Sequence, residues 1–198
     1  MSTIKVNSIE NRNGSSITIG KTGTTVDFAA GTTVDFSTNS PTLTGVATTN
    51  GITSAEQWRL STSFTGNADP ITNLERADNT KSGSVGTSIT ESSGVFTLPT
   101  GIWKIEFISQ IYGAAGNDAQ VNCQIKVDET NSGTFTEYAN GLINLVNASW
   151  TTGYISIMLD VTDSNVKVRF AITGNSGEVG GNSSQTFTHM NFIRLGDT

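Results

Sequence analysis

The hexapeptide Gly-Thr-Thr-Val-Asp-Phe occurs twice near the start of this chain, at 23–28 and 31–36, with only Ala29-Ala30 between the copies. A segment that offers one Val and one Phe per repeat cannot bury them within itself. It has to pack them against copies in neighbouring chains or stay unfolded. The rest of residues 1–50 is built the same way. Ile4 and Val6, then Ile17 and Ile19, alternate at the strand period, and Gly14, Gly20, Gly23, Gly31 and Gly45 punctuate the stretch as turns. An isolated hairpin of this kind is marginal in water. Residues 1–50 are therefore read as an N-terminal anchor and repetitive β shaft, three chains sharing an axis of Val26, Phe28, Val34 and Phe36. A Thr/Gly-rich arm that orders only when docked on a larger body is the other reading.

The pattern changes after residue 50. Thr53-Ser54-Ala55-Glu56 has the hydroxyl-x-x-Glu spacing of a capping box and is followed by Gln57-Trp58-Arg59-Leu60. This predicts a short helical collar over 51–60, with Trp58 and Leu60 as its apolar residues. From 61 to the C-terminus the signal is strands. In Phe96…Leu98 and Trp103-Lys104-Ile105-Glu106-Phe107, apolar and polar residues alternate, and Pro99-Thr100-Gly101 makes a turn between the two runs. Further strands are expected at 119–127, 142–146, 153–161, 165–172 and 185–195, with Gly-rich breaks at 113–117, 131–133 and 174–182. Many short strands with almost no helical spacing predict an all-β sandwich or jelly roll. Phe96, Trp103, Ile105, Phe107 and Phe192 are its expected core.

Charge narrows the partners. The chain carries 11 Lys and Arg against 17 Asp and Glu, a net −6, and the excess acid falls entirely after residue 60. An acidic head has no electrostatic affinity for a phosphate backbone, so nucleic acid is not expected as a partner. No stretch approaches the ~20 apolar residues of a membrane span, so no membrane insertion is expected. Met-Ser-Thr-Ile-Lys-Val lacks the apolar core of a secretory signal.

The chemistry of enzymes is thin. One His and one Cys leave little from which to build a nucleophile and its base. His189 is read as a strand residue, and Cys123, in phase with Val121, Ile125 and Val127, as a small buried hydrophobe. The acids are scattered singly. Asp128-Glu129 and Asp160/Asp163 fall where turns are expected and read as solvated turn acids. Neither a catalytic residue, a metal nor a cofactor is assigned.

Two resemblances follow from particular residues. Phe96…Pro99-x-Gly101-x-Trp103-x-Ile105-x-Phe107 resembles the Phe…Gly-x-Tyr-x-Phe signature of C1q/TNF-like jelly-roll heads, with Trp103 in the Tyr position. Thr186–Leu195 resembles that family's closing strand, which returns beside the first. The Gly-Asp pair usual before the penultimate strand is replaced here by Asp160-Val161-Thr162-Asp163-Ser164. The whole chain is also similar to fibre and knob proteins of tailed bacteriophages, especially of marine hosts. That likeness is carried by the Ser-Thr-Ile-Lys-Val start, the Thr-rich repeats, Ala55–Leu60 and Pro70–Arg76. It implies an all-β, non-enzymatic homotrimeric virion fibre, made in the host cytoplasm and released by lysis. Its N-terminus would anchor to other virion proteins, and its C1q/TNF-like jelly-roll head would be exposed. The loops at 113–118, 131–140 and 174–184 carry Asn117, Asp118, Phe135 and Tyr138. These residues are expected either to contact a host-surface glycan or protein or, for the aromatics, to pack along the trimer axis. A capsid or tail-neck decoration with no receptor remains the alternative.

Overall fold

The computed structural model describes residues 52–77, 84–86, 89–114, 120–163 and 166–198, all within the C-terminal of two compact units, Ala47–Thr198. The shaft residues Val26, Phe28, Val34 and Phe36 lie outside the described residues, as do Asn117 and Asp118. Among the described residues there are strands and no helix. They are β1 (Ser54–Leu60), β2 (Thr62–Thr65), β3 (Leu74–Arg76), β4 (Thr90–Ser92), β5 (Val95–Thr97), β6 (Gly101–Tyr112), β7 (Gln120–Asp128), β8 (Thr136–Asn144), β9 (Trp150–Val161), β10 (Lys167–Thr173), β11 (Glu178–Asn182) and β12 (His189–Gly196).

Two antiparallel sheets face each other. The larger runs β2-β11-β6-β12-β1-β3, with β9 on the other edge of β6, and the smaller runs β4-β5-β10-β7-β8. β6 is the spine of the first. β9 pairs along its whole length, from Gly101↔Val161 to Tyr112↔Trp150, while β12 and β11 share its opposite edge. The closing strand β12 lies between β6 and β1, so the last strand pairs with the first described one.

The sequence pattern explains why. In β6, Trp103, Ile105, Phe107, Ser109 and Ile111 point into the sandwich while Lys104, Glu106 and Gln110 point out. Phe96 of β5 and Phe170 of β10 meet Phe107 and Phe192 from the facing sheet, with ring centroids 4.9–5.8 Å apart. Trp103 is fully buried and donates its indole N–H to the Pro99 carbonyl at 2.8 Å. All five expected core residues, Phe96, Trp103, Ile105, Phe107 and Phe192, lie in this one cluster.

Residues 54–60 are a strand and not a helical collar. Trp58 and Leu60 face the sandwich core, Trp58 meeting Phe96 edge-on at 5.4 Å. Glu56, the supposed capping residue, is buried and serves long-range partners. It accepts from Arg76 Nε at 2.9 Å, the Ile89 amide at 2.6 Å and the Trp58 indole at 3.2 Å. The carboxylate thus pins β3 and the segment before β4 to β1. Pairing to β12 and β3 supplies the backbone partners that a helix would have found locally. Residues 178–182, expected as part of a Gly-rich break, form β11. Gly181 sits there against Leu60 and Thr62 where a side chain would collide.

Candidate functional site

Two surfaces of the sandwich carry unusual side chains: the β7–β8 loop on the smaller sheet and the outward face of β9 on the larger.

The loop, residues 129–135, is organised from its root. Asp128 is buried, not solvated as a turn acid. Its Oδ1 accepts from the Thr130 and Ser132 amides, both at 3.1 Å, and its Oδ2 from the Gly133 amide at 2.7 Å. Burial pushes its carboxyl up, but the amides of Gly133, Ser132 and Thr130 together outweigh that and hold it below the ordinary aspartate range. Glu129 does remain exposed and accepts from the Tyr138 hydroxyl, an interaction that raises the phenol's pKa.

Of the four expected loop contacts, Phe135 and Tyr138 are described: Phe135 is in the loop, Tyr138 lies on β8 and not in a loop, and they border different hollows. Phe135 is half-buried under the Arg169 guanidinium, 4.2 Å from its ring centroid. Arg169 Nε is in turn 3.0 Å from Asp69, an ion pair rather than an aligned hydrogen bond, and Asp69 also meets Lys126 Nζ at 2.6 Å. Phe135 forms one wall of a hollow of about 290 Å³, shared with the β4–β5 hairpin and Lys167. Tyr138 borders a second hollow of about 290 Å³ with Glu129, Thr130 and Thr136.

The hairpin is shaped by its two turn residues. Ser93 and Gly94 both have positive φ, 52° and 83°, the mirror-image turn that suits the twist of paired strands. A side chain on Gly94 would also overlap the Ile71 carbonyl.

On the larger sheet, outward residues of β1, β12, β6 and β9 make a polar ladder. Gln57 donates to Asn191 at 2.8 Å, and Asn191 to Glu106 at 3.0 Å. Glu106 also accepts from Tyr154 at 2.9 Å and pairs with Lys104 at 2.7 Å. The Lys104 ammonium is the main cause of the lowered Glu106 pKa, helped by Asn191 and Tyr154 against the effect of burial. Beyond this ladder the surface turns apolar. Trp150, Tyr154 and Met158 recur at every fourth residue on the outward face of β9, with Thr152 and Ser156 between them, and Leu142 and Val146 are exposed on β8 and the connection to β9. With Tyr138 they make six of the nine large exposed hydrophobics among the described residues, Tyr138 and Leu142 on the outward face of the smaller sheet and Trp150, Tyr154 and Met158 on that of the larger. β9 pairs with β6 and with no other strand among the described residues. Sequence reasoning missed this stripe, although its signal was present: Trp150, Tyr154 and Met158 are out of phase with Ile155, Leu159 and Val161.

Cys123 is buried and 3.0 Å from Ser109 Oγ. Desolvation pushes its thiol up to about 11, against a smaller lowering by Ser109. His189 lies half-buried on β12 with Nδ1 2.9 Å from the Phe187 carbonyl. Among the described residues no three His, Cys, Asp or Glu side chains gather as metal ligands.

No family model and no curated protein matches the chain. Solved structures do. Murine APRIL at pH 5.0 superposes with a TM-score of 0.56 at 8% identity, covering 72% of this chain and 98% of that one. Eiger TNF from S. frugiperda gives 0.54 at 9% identity, covering 73% and 93%. The head is a TNF-like jelly roll. At this identity the likeness concerns the fold alone.

Proposed function

We propose that this chain is a non-enzymatic homotrimeric fibre protein of a virion, anchored to other virion proteins through residues 1–50 and presenting its TNF-like head to a host surface. The observation that carries self-association is the β9 edge. Trp150, Tyr154 and Met158 recur on its outward face, with Thr152 and Ser156 between them, and large hydrophobics grouped on one edge strand suit a partner surface. The partner that suits it is another copy of the head, whose β1–β12–β6 face offers Ala55 and Ile193 beside the polar ladder. An edge-to-face contact is heterologous, so it closes only as a ring. The doubled Gly-Thr-Thr-Val-Asp-Phe supports the same assembly from the other end of the chain. Binding rather than catalysis is supported by what the loops hold: half-exposed aromatics and hydroxyls, a buried aspartate whose oxygens are occupied by its own loop, and a thiol that stays protonated.

The test has two parts. Sedimentation of the full chain should give three chain masses. Gold-labelled antibody against the head should decorate intact particles at a projecting fibre, and soluble chain should bind the cells on which the particle grows and block infection. A monomer at micromolar concentration, or label confined to capsid faces without cell binding, would overturn the reading.

A further inference from the structure

We propose that the hollow between the β4–β5 hairpin and Phe135 is a carbohydrate site that takes one neutral pyranose unit. This deepens the attachment reading and rests on it only for the source of the sugar.

The size comes first. A hollow of about 290 Å³ falls at the lower end of small-molecule sites, large enough for one sugar ring and too small for an extended ligand to be enclosed. The lining then matches a sugar's two kinds of surface. The C–H face of a pyranose needs a flat apolar partner, and Phe135 with Val95 supplies one. Its hydroxyls each donate and accept, and the hydroxyls of Thr90, Ser92 and Thr97 with the Asn131 amide do both in return.

Charge decides between sugars. Glu91 and Asp128 border the hollow against one cation, Lys167, whose ammonium already donates to Thr97 Oγ1 at 2.9 Å. An anionic unit such as a sialic acid, a uronic acid or a sugar phosphate would face both carboxylates, with Arg169 already paired to Asp69, whereas a neutral one finds an acceptor in Glu91; the Asp128 oxygens are taken by its own loop. The walls are also set before any ligand arrives. Arg169 stacks on Phe135 at 4.2 Å, Asp128 ties the loop amides, and Glu91 Oε1 accepts from the Gly94 amide at 2.6 Å. A preformed site loses less freedom on binding. None of these residues belongs to β9, so a head covered along that strand keeps the hollow open. Three such sites on one fibre would act together, which lets a weak single-sugar contact hold a particle.

Saturation-transfer NMR on the full chain tests this, with methyl glycosides of glucose, galactose and mannose at millimolar concentration beside glucuronic and N-acetylneuraminic acids. Transfer is expected to the ring C–H protons of at least one neutral glycoside and not to the acids. Phe135→Leu keeps bulk beneath Arg169 but removes the flat ring, and is expected to weaken binding about fivefold. Asn131→Asp, which retains a side chain tolerated at that residue's positive φ of 55°, should weaken it too. Tyr138→Ala, across the loop, should not. The site is overturned by transfer to no neutral glycoside, by preference for the acids, by unchanged binding in both Phe135→Leu and Asn131→Asp, or by loss in Tyr138→Ala alone. Binding to cells separates this from the broader reading. Saturable cell binding that survives Phe135→Leu and is not competed by the glycosides sinks the sugar site and leaves attachment standing. Sugar binding without cell binding does the reverse.

Discussion

Ile143 of β8 occupies the space that a side chain on Gly153 of β9 would need: a Cβ built on Gly153 overlaps Ile143 Cδ1 and crowds Ser109 Oγ at 2.9 Å. The relationship is reciprocal, because Gly141 of β8 makes the same room for Ile155 of β9. β8 and β9 belong to different sheets, and these two glycines let the sheets approach at the edge that also carries the apolar stripe.

Gly153→Ala is accordingly expected to overpack this edge and to destabilise the head by about 1–3 kcal/mol. Ile143→Val removes the colliding methyl. The double variant should therefore recover part of the loss, and a double-mutant cycle in urea melts measures the coupling. Additive effects would mean that the two residues do not share this space.

Glu56 gives the second expectation. Glu56→Ala leaves Arg76, the Ile89 amide and the Trp58 indole without their acceptor. Breaking a buried pair by removing one partner costs about 3–5 kcal/mol. Arg76 is partly exposed, with 38% of its side-chain surface accessible, so the loss should fall toward the lower figure. Thermal melts report it, and hydrogen exchange should show loosening first at β3 and at Ile89. Uniform loosening across both sheets would argue against a local pin.

These residues also show what the sequence made legible. β6 could be read because Trp103, Ile105 and Phe107 alternate cleanly with Lys104 and Glu106. β1 could not, because its inward positions begin with Ser54 and Glu56. A buried carboxylate looks like a helix cap until Arg76 and Ile89, both remote in sequence, are known to meet it. β11 was hidden by Gly180 and Gly181, whose use is close approach, to the Trp150 ring and to Leu60 and Thr62, and not chain reversal. Asp128 looked like any turn acid, because nothing local announces that three amides will converge on it. Phe135 could be picked out as a loop aromatic, whereas Tyr138, expected in the same loop, lies on β8, which starts at Thr136; and the hollow beside Phe135 depends on the β4–β5 hairpin, which comes from the far side of the sheet.

Acid should open the β7–β8 loop. The folded-state pKa of Asp128 lies below its ordinary value of 3.8. Its contribution is therefore complete above that value and is lost as pH falls through the lower folded one. Amide shifts of Thr130, Ser132 and Gly133 should stay constant at pH 5 and move only below about pH 4. Asp128→Asn should abolish that step. A midpoint above the ordinary aspartate value would show that burial, not the amides, governs the group.

Cys123 should be inert while the fold is intact. With its thiol pushed up to about 11 and almost no exposed surface, the thiolate is scarce and out of reach at pH 8. A disulfide reagent should label it only at the rate of unfolding and label it fully in denaturant. Fast labelling of native protein would mean that the β7 face is not sealed by β6.

The β9 stripe is the most consequential prediction. If a second copy covers Tyr154 and Met158, folding and assembly are linked, and the melting temperature should rise with protein concentration. Tyr154→Asp with Met158→Asp places two charges in the covered surface, where unpaired charge is costly. The double variant should dissociate at protein concentrations at which the parent stays assembled, and its melting temperature should become independent of concentration. Both residues point outward, more than half exposed at 57% and 60%. The isolated head should therefore keep its β-sheet circular dichroism after both substitutions. Loss of the sheet signal along with the assembly would place these side chains in the fold and not in the contact. Unchanged mass and unchanged concentration dependence would remove β9 from the interface altogether.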